Sequence, residues 1–228
     1  MMNPIRIDEY RAKLYYMDIK EIEEEICFHR NYERLSAERK AKVDSYYFIR
    51  DRKLSLGAGV LLDKGLLEYG LSEAKEPVAY GEKGKPYLPV HPHIHFNIAH
   101  SEKMVLVVFA DVEVGCDVEI IRQAEMPLAK RFFSPKEYEY VERQEGEEQK
   151  SEAFYRIWTV KESFLKATGL GMSLPMDSFE VQIDKAGAVI VSQEVDDRAY
   201  HFREFRFGNY CAAVCFQVEK GECFIEYV

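Results

Sequence analysis

The spacing of apolar residues changes from a helical period to a strand period along this chain, and it does so twice. Apolar side chains first recur every three or four positions, which indicates an amphipathic helix, and strand-like runs then follow. The helical segments span residues 36–69, 125–133, 135–144 and 151–168, and the strand-like runs span 104–110, 112–119, 178–183, 188–192, 200–205 and 210–216. Helices and strands grouped in this way predict an α+β fold of two lobes, residues 1–112 and 113–228.

Several local features of these segments are also predicted. The runs 104–110 and 112–119 are so close together that we expect them to form a hairpin. Ser134 is well placed as the N-cap of a helix that starts at Pro135. Gly169 is expected to end the helix of residues 151–168.

The composition excludes some classes of function. The 228 residues include 31 Lys and Arg against 40 Asp and Glu, a net charge of −9 that disfavours a general binder of nucleic acid or anionic membrane. No window approaches the roughly 18 consecutive apolar residues of a membrane span, and no signal-peptide core is visible. The five cysteines, of which Cys223 is the last, are sparse and indicate reduced thiols in a cytoplasmic protein.

Two acidic residues alternate with apolar ones in the run VGCDVE, residues 114–119. In a strand, residues two apart point to the same side, so Asp117 and Glu119 lie side by side while the apolar residues face the core. Adjacent anions repel each other unless a cation lies between them. Oxygen ligands favour a hard divalent cation such as Mg²⁺, although two acids on a solvent-exposed strand face would give the same pattern.

A third carboxylate lies in the helix predicted for residues 151–168. Trp158, Glu162 and Lys166 recur every four residues, so a carboxylate and an ammonium share one stripe beside the chain's single tryptophan. An ordinary exposed Glu–Lys pair would show the same spacing. With Asp117 and Glu119, however, this helix could complete a Mg²⁺ site, and a set of this kind suits phosphoryl-type transfer.

Three alternating histidines, His91, His93 and His95, offer a different chemistry. They fall on one face of an extended segment, so a zinc-dependent hydrolase is an alternative function. Surface strand histidines would look the same, and no acid or cysteine follows at ligand spacing. The nearby run GEKGKP, residues 81–86, is too short for a phosphate-binding loop.

Four short motifs occur in a fixed order: NIAHS (97–101), GCDVE (115–119), FSPKE (133–137) and WTVKESFLK (158–166). Together they resemble the signature of the 4′-phosphopantetheinyl transferases. The chain length is similar to that of the Sfp-type subfamily, which primes peptide and polyketide synthases. The resemblance runs from about residue 36 to residue 179 and implies a monomer whose two α+β lobes are related by an internal pseudo-twofold axis.

The resemblance also implies an activity and a set of site residues. The activity is transfer of 4′-phosphopantetheine from coenzyme A to a serine of an apo carrier protein of the peptidyl, polyketide or fatty-acid type, with Mg²⁺ or Mn²⁺ bound and adenosine 3′,5′-bisphosphate released. The resemblance assigns the metal to Asp117, Glu119 and Glu162. It assigns contacts with coenzyme A to Lys166 and Lys161 at the phosphates, His100 near the 3′-phosphate, and Lys85 as a phosphate-side lysine of the first lobe.

Two questions stay open at this point. The serine proton could be removed by Glu162, by Glu137 or by a metal-bound water, because a carboxylate that binds Mg²⁺ is a poor base. A decayed relative that binds coenzyme A or a carrier protein without turnover is a further alternative. The intact acidic set together with Lys166 disfavours that alternative.

A basic segment lies in the first lobe. Residues 30–53 contain eight basic and four acidic residues, a local net charge of +4 in a chain of net charge −9. Such an excess favours contact with an anionic nucleotide tail or an acidic carrier protein. Arg39 and Lys42 are the residues predicted for this contact, and a solvated helix face is the alternative.

Overall fold

The computed structural model describes residues 5–7 and 12–218. The described strands are β1 (Ile5–Ile7), β2 (Ala12–Asp18), β3 (Ala79–Tyr80), β4 (Pro86–Tyr87), β5 (His95–Ser101), β6 (Met104–Ala110), β7 (Val114–Ile120), β8 (Glu180–Ile183), β9 (Val189–Ser192), β10 (Ala199–Phe207) and β11 (Tyr210–Val218). The described α-helices are α1 (Glu25–Tyr32), α2 (Ala37–Ser45), α3 (Ile49–Leu67), α4 (Met126–Phe132), α5 (Pro135–Glu142) and α6 (Gly146–Thr168).

Two antiparallel sheets repeat one strand order. The first is β1-β2-β6-β5 and the second is β7-β11-β10. In the first sheet the last strand, β6, lies between β2 and β5. In the second sheet the last strand, β11, lies between β7 and β10. In both sheets the last strand therefore separates a strand that precedes the helices from the strand just before it in sequence. A long helix packs on each sheet, α3 against β6 and α6 against β7. This repetition confirms the predicted α+β fold of two similar lobes.

Side chains of the first sheet bind the backbone of the second. On β5, Asn97 Oδ1 accepts from the Cys116 N–H at 3.1 Å, and Ser101 Oγ accepts from the Ile120 N–H at 3.3 Å. Both contacts join residues 19 positions apart, so β5 and β7 run parallel, side by side. The NIAHS and GCDVE motifs are therefore neighbours although they belong to different sheets.

The predicted hairpin of residues 104–110 with 112–119 is wrong. Strand β6 pairs with β2 and β5, whereas β7 pairs with β11. The short link 111–113 instead leads the chain from the first sheet to the second. We propose this link as the boundary between the lobes 1–112 and 113–228.

The helix predicted over residues 36–69 is two helices, α2 and α3. Tyr46 and Phe48, which flank the break, have extended backbones with ψ of 134° and 135°. Aromatic side chains have low helix propensity, which favours a break in this Tyr-Tyr-Phe run. The break leaves Tyr47 and Phe48 exposed.

Local predictions for the second lobe are confirmed. Helix α5 begins at Pro135, and Ser134 and Glu137 form a capping box at its start. Helix α6 ends at Gly169, which has a φ of 71°. None of the described helices is long and apolar enough to cross a membrane. Four free cysteines are described, three of them buried, and Cys223 lies outside the described residues.

Candidate active site

Strand β7 crosses helix α6 at Gly115. A Cβ atom at this position would lie 2.2 Å from Ser163 O and 2.3 Å from Ala167 N, so a side chain other than hydrogen cannot fit. Because residues two apart share a side of the strand, Asp117 and Glu119 also face α6. The apolar residues on the other side of β7 lie in the core between the sheets, which confirms the predicted alternation.

Asp117 is buried at this crossing, with 7% of its side chain exposed. Its Oδ1 accepts a hydrogen bond from Lys166 Nζ at 2.6 Å, whereas its buried Oδ2 has no hydrogen-bond partner. Burial raises the pKa of Asp117 even though the charge of Lys166 opposes the change. A buried carboxylate oxygen without a donor is costly, so this atom marks a place where a further positive charge would be stabilising.

Glu119 and Glu162 lie partly buried near Asp117. Ser101 donates a hydrogen bond of 2.7 Å to Glu119 Oε2. Burial, followed by the negative charge of Asp117, raises the pKa of Glu119 to about 7. The same two causes, in the same order, raise the pKa of Glu162. The three carboxylates are therefore close enough to repel one another.

Lys166 counters this repulsion. Desolvation lowers the pKa of its ammonium, but the negative charge of Asp117 outweighs that effect, and the pKa is raised overall. Lys166 thus stays charged on the side of α6 that faces β7. About 30% of its side chain is exposed, so the ammonium can also reach a ligand from solvent.

The three carboxylates do not form a finished ligand sphere. Within residues 5–7 and 12–218, no group of three or more His, Cys, Asp or Glu side chains is positioned to hold a metal ion. Lys166 is bonded to Asp117 and Ser101 is bonded to Glu119. The donor set nevertheless fits Mg²⁺, because it consists of carboxylate oxygens and includes the unpaired Oδ2 of Asp117.

The structure brings His100 and Lys42 into the neighbourhood of Lys166. His100 is exposed on β5, yet desolvation lowers the pKa of its imidazole, and the positive charges of Lys166 and Lys42 lower it further. Lys42 Nζ also lies 5.6 Å from the ring centre of Tyr80. Two cations and an imidazole from both lobes therefore surround one region beside the carboxylates.

Arg39 lines a cleft of 330 Å³ together with Lys42 and Tyr80. Its Nε lies 3.5 Å from Glu73 Oε1, and the two side chains are only 6% and 3% exposed. Glu73 also accepts hydrogen bonds from the backbone and the hydroxyl of Ser36. Arg39 is therefore held by an internal ion pair, whereas Lys42 is exposed at the rim of the cleft.

Lys85 joins the first lobe to the end of α6. Its Nζ donates to Glu113 Oε2 at 2.5 Å and to Ala167 O at 2.8 Å. Desolvation would raise the pKa of Glu113, but a hydrogen bond from His95 and the charge of Lys85 lower it to about 2. These contacts place Lys85 next to the residue that follows Lys166. Its predicted contact with a phosphate stays a prediction.

The structure argues against the predicted roles of Lys161 and Glu137. Lys161 Nζ lies 2.8 Å from Glu137 Oε1, and neither side chain is exposed. Lys161 also donates to the carbonyl oxygens of Met176 and Phe179, at 2.7 and 2.8 Å. All three ammonium protons are thus used inside the second lobe. Neither residue is accessible to coenzyme A or to an acceptor serine, because both are enclosed in the core.

The Lys161–Glu137 pair should instead stabilise the fold. Lys161→Met is expected to lower the free energy of unfolding by about 3–5 kcal/mol, because it removes the only cation paired with the buried Glu137 carboxylate among the described residues. The double variant Lys161→Met/Glu137→Gln should recover part of that loss. Urea denaturation of the three proteins measures the difference. Equal stability of Lys161→Met and the wild type would contradict this assignment.

Two of the three alternating histidines, His91 and His95, contact different acids. His91 Nε2 lies 3.1 Å from Glu76, and His95 Nδ1 lies 3.3 Å from Glu113. The rings of His91 and His93 are 6.2 Å apart between centroids. These contacts tie His91 to its own lobe and His95 to the first residue of the second lobe, and they lend no support to the hydrolase alternative.

A second cleft, of 190 Å³, opens beside Glu119. Ser101 and Glu102 line one part of it, and the aromatic rings of Tyr155 and Trp158 line another. Because Glu119 itself lines this cleft, the cleft adjoins the carboxylates of the β7–α6 crossing. The site thus has a basic side formed by His100 and Lys42 and a partly aromatic side formed by this cleft.

Comparison with known proteins agrees with this geometry. The family model described as "4'-phosphopantetheinyl transferase superfamily" matches residues 113–215. A 4′-phosphopantetheinyl transferase of Bacillus subtilis is 36% identical over 158 residues, which cover 69% of this chain and 70% of that protein. The chain belongs to the 4′-phosphopantetheinyl transferase family. It is accordingly an enzyme of this type, as the four motifs predict.

One further relative and one solved structure are also similar to this chain. The 4′-phosphopantetheinyl transferase Sfp of Bacillus subtilis (strain 168) is 33% identical over 183 residues, 79% of this chain and 81% of that protein, which supports the Sfp-type assignment. A crystal structure of a holo-(acyl-carrier-protein) synthase from Bacillus anthracis in complex with CoA (3′,5′-ADP) has 19% identity and a TM-score of 0.43. The match covers 48% of this chain and 97% of the chain in that crystal structure.

Sequence reasoning missed two residues that build the site. Gly115 belongs to the GCDVE motif, and a glycine inside a strand is itself a signal of close backbone approach. Ser101 ends the NIAHS motif, and its hydroxyl joins both the Glu119 carboxylate and the β7 backbone. Nothing in the local sequence indicates that contact, because it depends on the parallel packing of two strands from different sheets.

Proposed function

We propose that the protein transfers 4′-phosphopantetheine from coenzyme A to a serine of an apo carrier protein of the peptidyl, polyketide or fatty-acid type, and releases adenosine 3′,5′-bisphosphate. The observation that carries the proposal is Asp117 at the β7–α6 crossing, with one oxygen on Lys166 and the other buried and unpaired. Family membership supports the reaction type. Because both sides of the site lie in one chain, we propose that the enzyme acts as a monomer.

Asp117, Glu119 and Glu162 are the residues that would hold Mg²⁺, or Mn²⁺ in its place. The bound cation would neutralise the pyrophosphate and polarise the phosphoryl group that is attacked. The raised pKa values of Glu119 and Glu162 are consistent with this role, because crowded carboxylates gain most from a divalent cation.

Lys166 would exchange one anionic partner for another. In the structure its ammonium is bonded to Asp117 Oδ1 at 2.6 Å. With coenzyme A bound, Lys166 would donate to its phosphate oxygens instead of to Asp117, which would belong to the metal ligands. A lysine suits this exchange because it is a compact point charge on a flexible stem.

The two sides of the site suggest the orientation of coenzyme A. The nucleotide end, which carries the 3′-phosphate, matches the positive side formed by Lys42 and His100, with Arg39 in the adjoining cleft. The less polar pantetheine arm matches the cleft lined by Tyr155 and Trp158. The phosphoryl group to be transferred then lies between them, at the carboxylates.

Glu162 is the protein group that we propose as the base for the acceptor serine. Of the two carboxylates predicted for this role, only Glu162 lies at the crossing, because Glu137 is enclosed with Lys161. Burial and the charge of Asp117 raise the pKa of Glu162 in the metal-free chain. Because a carboxylate that binds Mg²⁺ is a poor base, Glu162 would accept the serine proton only with an oxygen that does not hold the cation.

Metal binding should depend on pH in a defined direction. The pKa of Glu119 is about 7 in the folded chain against the ordinary 4.5, and Mg²⁺ binds the carboxylate form. We therefore expect the apparent Kd for Mg²⁺ to fall by about tenfold between pH 6 and pH 8, as protons are released. Calorimetric titration with MgCl₂ measures this, and Glu119→Gln should bind weakly with little pH dependence. An affinity that does not change over this range would contradict the prediction.

The raised pKa of Glu119 also makes the stability of the metal-free protein depend on pH. Because the folded pKa lies above the ordinary value, the folded chain holds this proton more tightly than the unfolded chain does. The stabilisation from Glu119 is therefore complete below about pH 4.5 and is lost as the pH rises through about 7. A Glu119→Gln variant should not show that loss.

Release of adenosine 3′,5′-bisphosphate tests the reaction. Chromatography of a mixture of protein, coenzyme A, MgCl₂ and apo carrier protein should show this nucleotide, and omission of the carrier or addition of EDTA should abolish it. Binding of coenzyme A without release of the nucleotide for any of the three carrier types would favour the non-catalytic binding module.

A further inference from the structure

An exposed apolar loop lies between α2 and α3. Tyr47, Phe48 and Ile49 are 92%, 66% and 59% exposed, and the rings of Tyr47 and Phe48 pack edge to face with centroids 5.1 Å apart. Three consecutive large apolar residues that stay this exposed mark an interaction surface more often than an ordinary solvated loop. We call residues 47–49 the aromatic loop.

The aromatic loop is connected to the rim of the site. Arg50, which follows it, lies with Nη1 at 3.4 Å from Glu102 Oε2, and Arg122 Nη2 donates to Glu102 Oε1 at 2.6 Å. Glu102 and Arg122 both line the cleft that contains Glu119 and Trp158. A protein whose serine enters this site must therefore cover the rim that Arg50, Glu102 and Arg122 form.

The segment that contains the aromatic loop has an excess of positive charge. At the rim itself Arg50 and Arg122, whose side chains are 55% and 60% exposed, are balanced by Glu102 and by Asp51, which lies 3.5 Å from Arg50 Nε. The segment 30–53, which contains the aromatic loop, carries a net charge of +4 in a chain of net charge −9. Apolar side chains surrounded by positive charge match an acidic surface that has exposed apolar residues of its own.

We propose that the aromatic loop is a docking surface for the carrier protein, and that it receives a negatively charged carrier surface with apolar side chains next to the acceptor serine. This inference rests on the proposed function, because the substrate protein is the partner that must cover this rim. Aromatic side chains contribute strongly to interfaces when they are desolvated in the complex. The loop would then set the affinity for the carrier and leave the binding of coenzyme A unaffected.

A double variant and a matched control test this proposal. Tyr47→Ser/Phe48→Ser removes both rings, and Ile26→Ser removes an equally exposed apolar residue on α1. With coenzyme A saturating, we expect the KM for the carrier to rise at least about tenfold in the double variant and to stay within about twofold of the wild type in the control. The KM for coenzyme A should be unchanged in both. Thermal unfolding verifies that the variants are folded.

The possible outcomes separate this inference from the proposed function. A wild-type protein that modifies no carrier would refute the proposed function itself. Transfer by the folded double variant with an unchanged KM for the carrier would refute only the docking surface. A second copy of the chain could occupy the aromatic loop instead of the carrier. In that case sedimentation would show a dimer for the wild type and a monomer for the double variant, and the KM for the carrier would be unaffected. That result would overturn the proposal.

Discussion

Replacing Asp117 with asparagine is expected to lower kcat/KM for transfer at least about 1000-fold, equivalent to about 4 kcal/mol of transition-state stabilisation. The substitution removes the negative charge that holds Lys166 at 2.6 Å, and it weakens the oxygen donor that we assign to Mg²⁺. Steady-state kinetics measures the loss, and calorimetry should show that Mg²⁺ binding is lost with it.

An exposed carboxylate on α6, Glu152, provides the control for this variant of β7. Glu152 is exposed and forms only a long ion pair of 3.4 Å with Arg206, so Glu152→Gln should leave kcat/KM within about twofold of the wild type. Retention of more than about a tenth of the activity by folded Asp117→Asn would show that this carboxylate is not part of the catalytic machinery.

Replacing Gly115 with alanine is expected to lower both stability and activity. The new Cβ would meet the backbone of α6 at 2.2 Å from Ser163 O and 2.3 Å from Ala167 N, and backbone atoms cannot rotate away as a side chain can. Helix α6 must therefore move from β7, at a cost of about 3 kcal/mol or more. The same displacement separates Lys166 and Glu162 from Asp117, so activity should fall even where the protein is folded.

Gly81→Ala is the matched control for Gly115→Ala. A Cβ atom at Gly81 would meet only Lys85 O at 3.6 Å, an ordinary contact, and the unfolding free energy should change by less than about 1 kcal/mol. Urea denaturation of both variants, together with their transfer rates, measures the contrast. Similar stability of the two variants would show that α6 does not need close contact with β7.

The local elements around the site could be predicted because their signals are local. The alternation of residues 114–119 assigns Asp117 to one side of a strand, the Ser134–Pro135 pair starts a helix, and Gly169 ends one. Each of these features depends on the sterics or hydrogen bonding of neighbouring residues, so a short window of sequence contains the whole signal.

The pairing of strands could not be predicted in the same way. Strand β7 pairs with β11, nearly a hundred residues away, rather than with β6, which lies three residues before it. An apolar strand such as β6 fits several partners, and the choice depends on the packing of both lobes. Strand β2 gives no clear strand signal, because its AKLYYMD sequence, 12–18, lacks a regular alternation of apolar and polar residues.

Lys161 shows where a motif misleads. It lies beside Glu162 in the WTVKESFLK motif, yet one residue along a helix turns the side chain by about 100°. Ile157 and Phe164, one turn before and after Lys161, are buried in the core, and Lys161 shares their face. That apolar spacing was the available signal that Lys161 is buried, and it outweighs the adjacency to the acidic residue.

The central claim is that this chain moves a phosphopantetheine group onto a carrier serine, and intact-mass spectrometry of the carrier tests it most directly. Wild-type protein with coenzyme A and MgCl₂ should raise the mass of an apo carrier protein by one phosphopantetheine group, and a carrier with its acceptor serine replaced by alanine should keep its mass. An unchanged mass for peptidyl, polyketide and fatty-acid carriers alike, with a folded protein that binds coenzyme A, would contradict the claim.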